Sequence, residues 1–210
     1  MTDVGVFLGG EGKNELGRRA GAPTYQTDED PGVLQTLLRR VENQGWTVAG
    51  AVKWADIRKY PAKGPLSAEE RNVLGLVVEA QRSKAEVVAF IRDADDTDRH
   101  KTIEAAIGKA RSLFPNIDLI GGTAVPVLEG WILAMRGQHG TEKLSKAGAQ
   151  KRLDDMGVDR ENTTSAMVRV VTEADLERLP EDARSLRAWL DRARGVLPAR
   201  VRKQGGSANH

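Results

Sequence analysis

Four acids fall within six residues at Asp93-Ala94-Asp95-Asp96-Thr97-Asp98, and an apolar run, residues 87–91, leads straight into them. Two carboxylates at i and i+2 on a chain leaving a strand project to the same side, so Asp93 and Asp95 could share one cation. A third carboxylate, Glu11, stands behind the Gly9-Gly10 turn that closes the first apolar run, residues 4–8. A fourth, Glu129, lies near the start of the apolar stretch 127–135. Hard carboxylate oxygens suit Mg²⁺ or Mn²⁺, and Mg²⁺ completes its shell with water and phosphate oxygens. Clustered acids of this kind could host one or two ions. Part of the run also has a plain structural use, because Asp and Thr cap helix starts and suit the helix dipole. Capping does not need four acids. Their repulsion predicts that removing Asp93 or Asp95 stabilises the metal-free fold and that a cation relieves the strain.

The elements that would carry these residues follow from apolar periodicity. Short apolar runs at 4–8, 46–52, 86–92 and 117–120 read as strands. Amphipathic stretches at 31–44, from Ser67 onward, at 100–114 and at 127–135 read as helices. Ser67 and Glu70 have capping-box spacing, and Pro31 and Gly45 punctuate the helix between them. Strands alternating with helices imply an α/β fold, a Rossmann-like and mostly parallel sheet of about four strands with helices on both faces. In such sheets the ligand site lies at the carboxyl ends of the strands, where Glu11, Asp93 and Asp95 fall. Beyond residue 140 only helical patterns remain, at 142–156, 165–171 and 182–194. The expected division is an α/β domain over 1–138, a helical extension packed on it over 139–197, and a disordered tail over 198–210.

Gly10-Glu11-Gly12-Lys13-Asn14-Glu15-Leu16 after a strand resembles the Glu-Gly motif that opens the TOPRIM domain. Asp93-Ala94-Asp95 after a strand resembles its Asp-x-Asp motif. The segment 125–134, with Glu129-Gly130-Trp131, is similar to a Glu-x-Trp-hydrophobic stretch of small bacterial TOPRIM-like proteins related to overcoming-lysogenization-defect nucleases. The likeness spans roughly residues 3–135. It implies a magnesium- or manganese-dependent nuclease cleaving phosphodiesters of RNA or DNA. Glu11 would serve as general acid/base or metal ligand, Asp93 and Asp95 would hold the ion, and Glu129 would be a further ligand. Asn14-Glu15 stands where many TOPRIM sequences have an Asp, which leaves the part played by Glu15 open. The resemblance also implies an ATPase partner protein and a role in anti-phage defence. A TOPRIM-like fold that has lost catalysis and serves as a binding or regulatory subunit is the alternative.

Other signals compete. Asp93-x-Asp95-x-Thr97 also resembles the first motif of haloacid-dehalogenase-type phosphatases, with Asp93 as nucleophile and Asp95 as acid/base, but that motif belongs on a first strand. Lys13 is followed by Asn14, so the Gly-rich turn misses the phosphate-loop pattern. A loop over 53–66 carries Lys53, Arg58, Lys59 and Lys63 around Trp54 and Tyr60. It could track a nucleic-acid backbone while a ring stacks on a base, or it could be a mobile, solvated loop. Arg18-Arg19 could reach the same ligand. Trp131 and Trp189 sit at helical spacing among Leu and Ile and read as core, and His139 reads as a loop residue.

Composition sets the remaining limits. Lys and Arg total 32 against 30 Asp and Glu, so nucleic-acid binding would rest on local patches rather than net charge. With no Cys, disulfides, thiolate metal sites and Cys nucleophiles are excluded. Three His leave little room for a His-rich zinc site. No apolar run approaches about 18 residues and the first residues do not read as a signal peptide, so a cytoplasmic protein without membrane contact is expected. A homo-oligomer is left open.

Overall fold

A computed structural model describes residues 3–20, 30–61, 64–95, 97–158 and 163–206. The fold is α/β. Strands β1 (Val4–Gly10), β2 (Trp46–Lys53), β3 (Val87–Phe90) and β5 (Asp118–Ile120) form one sheet in the order β2-β1-β3-β5, every pair parallel. Two short strands, β4 (Arg92–Asp93) and β6 (Thr123–Ala124), pair with each other beyond β3 and β5. The single strand expected over 86–92 is therefore split. Ile91 still bonds back to β1, its amide 3.3 Å from Gly9 O, whereas the Arg92 amide turns to Gly122 O at 3.1 Å. Gly121 permits that shift, because the Phe90 ring lies 2.1 Å from where a Cβ on residue 121 would be.

The alternation of side chains across the strands splits the core into two layers. Val4, Val6, Leu8, Val87, Ala89 and Ile120 point to one face. They pack on α2 (Val33–Val41), α5 (Leu128–Met135), α6 (Lys146–Asp155), α7 (Thr163–Glu173) and α8 (Arg184–Gly206). Phe7, Val88, Phe90 and Leu119 point to the other face, against α3 (Ala68–Arg82) and α4 (Thr97–Leu113). The Ser67–Glu70 capping box forms as expected: Glu70 N donates to Ser67 Oγ at 3.1 Å and Ser67 N donates to Glu70 Oε2 at 2.8 Å.

The helices after residue 140 share the core of the sheet rather than flanking it, since one apolar cluster contains both Val4 and Leu197. Trp189 on α8 is fully buried and donates to Phe90 O at 3.0 Å, and its ring lies 6.1 Å from that of Trp131. Truncating it to Ala is expected to cost about 3–5 kcal/mol. Arg40 at the end of α2 donates to Val171 O at 3.1 Å and Ala174 O at 2.9 Å, closing the carboxyl end of α7. The tail expected to be disordered from 198 is instead the last part of α8, continuous through Gly206. Arg200 holds Asp118 at 2.5 Å and Gln204 holds Glu86 at 2.6 Å, so this stretch is tied to the amino-terminal edge of the sheet. Residues 207–210 lie outside the described residues. Among the described residues, no helix is long and apolar enough to cross a membrane.

Candidate active site

Glu11 leaves β1 at the carboxyl edge of the sheet, one residue before the Gly12 that starts the short helix α1 (Lys13–Leu16). Glu15 of α1 folds back under it, its Oε2 accepting from Gly12 N at 2.8 Å. Two glycines make room for this. A Cβ on Gly10 would fall 2.6 Å from Glu15 Cβ, and one on Gly32 would fall 2.1 Å from Glu15 O. Glu15 is consequently 6 % exposed. Burial pushes its carboxyl up, backbone amides oppose that, and the charges of Glu11 and Glu129 add to it.

Glu11 and Asp93 meet directly. Asp93 N donates to Glu11 Oε1 at 3.0 Å, and the Arg92 guanidinium donates to the same oxygen. Asp93 Oδ1 accepts from Leu128 N, at the first turn of α5, at 2.9 Å. Burial, then repulsion from Glu11, pushes the Asp93 carboxyl up to about 7, with smaller contributions from Glu15 and Glu129, while the Leu128 amide opposes. Glu129 therefore belongs to the same charge cluster. It also lines a cleft of about 480 Å³ with Lys13, Asn14, Gln150, Asp154 and Thr164.

Asp95 differs. Its amide donates to Pro126 O at 3.1 Å, continuing the ladder set by Ala94 N to Ala124 O at 2.9 Å. Its φ is +49°, a left-handed conformation that Asp tolerates better than most residues. Its carboxylate accepts from Arg99 and lies 3.5 Å from Lys146 Nζ. Partial burial pushes this carboxyl up, but Arg99 and Lys146 outweigh burial and hold it below the usual range. Lys146 Nζ is also 3.7 Å from Asp93 Oδ2, so one ammonium bridges the two aspartates. The same burial pushes Lys146 down, and the charges of Asp95, Asp93 and Glu11 overcome it and hold the ammonium in its protonated form.

Behind the acids stands a hub absent from the sequence reading. Glu69 on α3 accepts from Arg92 at 3.2 Å and pairs with Arg99 Nε at 3.0 Å. Its other oxygen accepts from Trp54 Nε1 at 2.9 Å. Each arginine thus joins Glu69 to one site acid, Arg92 to Glu11 and Arg99 to Asp95. Arg92 also lies 5.5 Å over the Trp54 ring. Arg99 was within reach of sequence logic, being i+4 from Asp95 on the start of a helix. Glu69 and Lys146 were not, because nothing local links them to Asp93.

The structure brings together Glu11, Asp93, Asp95 and Glu129, with Glu15 beneath them. It treats the basic loop differently from expectation. Trp54 is buried and bonded to Glu69, and Tyr60 lies edge-on to Phe114 at 6.2 Å, so neither ring is a free stacking platform. The loop is pinned at two points, since Trp54–Asp56 forms a 3₁₀ turn and Ile57 enters the core, while Ala55, Asp56, Arg58 and Lys59 stay exposed. Lys59 lines a cavity of about 300 Å³ together with Glu11, Arg92 and Asn72. Arg58 is exposed and Lys53 half-buried, while Lys63 lies outside the described residues. Arg18 points away to pair with Asp30 at 2.5 Å.

Among the described residues, no group of three or more His, Asp or Glu side chains is arranged to hold a metal ion. The donor set nonetheless fits a Mg²⁺-type ion. Asp93 and Asp95 offer two hard carboxylates to one point, that point is occupied by a cationic group of the chain itself, and such ions are commonly held by one or two carboxylates plus water and phosphate. Compared with protein-family models, with curated proteins and with solved structures, the chain gives no match.

Proposed function

We propose that this chain is a divalent-metal-dependent phosphodiester hydrolase acting on RNA or DNA. The observation that carries the reading is the meeting of Asp93 and Asp95 on one cation position, with Glu11 hydrogen-bonded to the Asp93 amide. The likeness of the three motifs to TOPRIM sequences supports the same chemistry. Bound Mg²⁺ or Mn²⁺ would polarise a phosphoryl oxygen and acidify a water. Asp93 and Asp95 are the residues to hold it. Arg92 fixes Glu11 and Arg99 fixes Asp95, so each carboxylate is held in place by its own arginine. Glu11 then faces the reacting phosphate as the acid/base group. Glu129 and the polar cleft it lines offer a path for the strand on one side, and Lys59 a cation on the other.

The test is cleavage of end-labelled single- and double-stranded RNA and DNA with Mn²⁺, comparing wild type with Asp93→Asn. Loss of metal-stimulated cleavage in a variant that folds normally is expected. Equal cleavage by both removes the site assignment. The motif likeness further proposes a cytoplasmic setting, an ATPase partner and a role in defence against phage. Co-expression with a neighbouring ATPase followed by a phage plating assay tests these. One observation favours a non-catalytic binding subunit instead: Glu11, Asp93 and Asp95 each have partners inside the chain. On that reading neither wild type nor Asp93→Asn cleaves with Mn²⁺, and partner binding is unchanged.

A further inference from the structure

We infer that Lys146 is an exchangeable counter-ion: its ammonium holds the cation position between Asp93 and Asp95 and gives it up when a divalent ion arrives. The inference rests on the metal-dependent reading above and adds to it what keeps the two acids compatible without metal.

Three observations separate Lys146 from the other cations nearby. The first is its hold. The arginines are locked: Arg92 is 15 % exposed and bridges two carboxylates, and Arg99 is 22 % exposed and bonds Glu69, Asp95 and the Asp93 carbonyl oxygen. Lys146 is 53 % exposed and stands 3.7 and 3.5 Å from its two carboxylates, loose for charge-assisted hydrogen bonds. A hydrated point charge on a flexible stem leaves such a position readily.

The second is its place on its own helix. Lys146 is the first residue of α6, directly after the Ser145 cap that accepts from Gly148 N at 3.1 Å. A cation there opposes the helix dipole, so α6 gains nothing from this charge. The two aspartates do.

The third is the charge balance. Among the described residues, Glu11, Glu69, Asp93 and Asp95 form their ion pairs with Arg92, Arg99 and Lys146, and the buried Glu15 and half-buried Glu129 add further negative charge. Exchanging a single positive charge for a double one improves that balance. Exchanging it for another monovalent ion does not, so the device also selects for divalent cations. The displaced ammonium stays within reach of the site's edge, tethered by α6.

Isothermal titration with MnCl₂ alone tests this on the full chain, with melting temperature in EDTA as a second readout. Lys146→Met keeps the stem and removes the charge. It is expected to bind Mn²⁺ about tenfold more tightly than wild type, to melt lower in EDTA, and to gain more on adding Mn²⁺. Lys146→Arg keeps the charge and is expected to bind like wild type or more weakly. Unchanged or weaker Mn²⁺ binding by Lys146→Met overturns the inference while leaving the metal site standing. Equal tightening by Lys146→Arg also overturns it, since charge would not be the cause. If neither wild type nor Lys146→Met binds Mn²⁺, the metal-dependent reading itself falls and the inference with it.

Discussion

The inner and outer halves of the acid cluster obey opposite rules. Inside, Glu15 and Asp93 are buried, have backbone amides as their main hydrogen-bond partners, and are pushed toward the protonated form. Outside, Asp95 sits between Arg99 and Lys146 and is held ionised. Two aspartates separated by one alanine thus have carboxyls shifted in opposite directions. Desolvation governs the first and ion pairing the second. Repulsion, which the sequence suggested for the whole run, contributes only in the inner half, and there it comes after burial.

The comparison breaks most visibly in activity. Asp93→Asn keeps an oxygen for the Leu128 amide but loses a charge from the cation position, so metal-stimulated cleavage is expected to fall by about a thousandfold or more. Initial rates at saturating Mn²⁺ measure this. Glu69→Gln removes the shared anchor of Arg92 and Arg99 without touching the cation position. A loss of about ten- to a hundredfold in kcat, with Mn²⁺ affinity less affected, is expected for such a supporting contact.

Stability sharpens the contrast. The Asp93 carboxyl titrates near 7 in the fold and near 3.8 when exposed. Between those values the folded chain holds a proton that the unfolded chain has lost, so Asp93 makes stability fall as pH rises through that window. Metal-free Asp93→Asn should match wild type near pH 4 and exceed it at pH 8, by up to about 4 kcal/mol. Chemical denaturation at the two pH values, in EDTA, reads the difference. Asp95 has the reverse sign: its depressed carboxyl contributes stability above the ordinary carboxylate range and loses it as pH falls through the folded value. Its side chain is 38 % exposed and screened, so metal-free Asp95→Asn should destabilise by less than about 1 kcal/mol at pH 7. A stabilising effect there would restore the uniform-repulsion picture. The smallest effect separates backbone from charge. With φ at +49°, Asp95→Gly should melt no lower than Asp95→Ala despite its more flexible chain, because Gly accepts the left-handed conformation without a Cβ clash.

Much of this was readable in advance, for physical reasons visible in particular residues. The alternation of Val6, Phe7 and Leu8 across a strand, the Ser67–Glu70 box and the glycine turns are local features, and local sterics and hydrogen bonding suffice to read them. The place of Glu11 and Asp93 followed from the rule that parallel strands present their carboxyl ends together. The tail was misread because Pro198 and the basic residues after it resemble a helix stop, whereas Pro198 is carried inside α8 and Arg200 is held by Asp118. The basic composition of the loop hides the burial of Trp54 and Ile57, which depends on residues distant along the chain.

The chain's own order of residues determined the strands, the helices and the edge at which the acids collect, since these depend on neighbours a few positions apart. Only the tertiary structure decided which acid is buried, which is paired, and by what. Glu69 and Lys146 arrive from different helices, and an electrostatic partner is chosen by distance through space, which no spacing along the chain records.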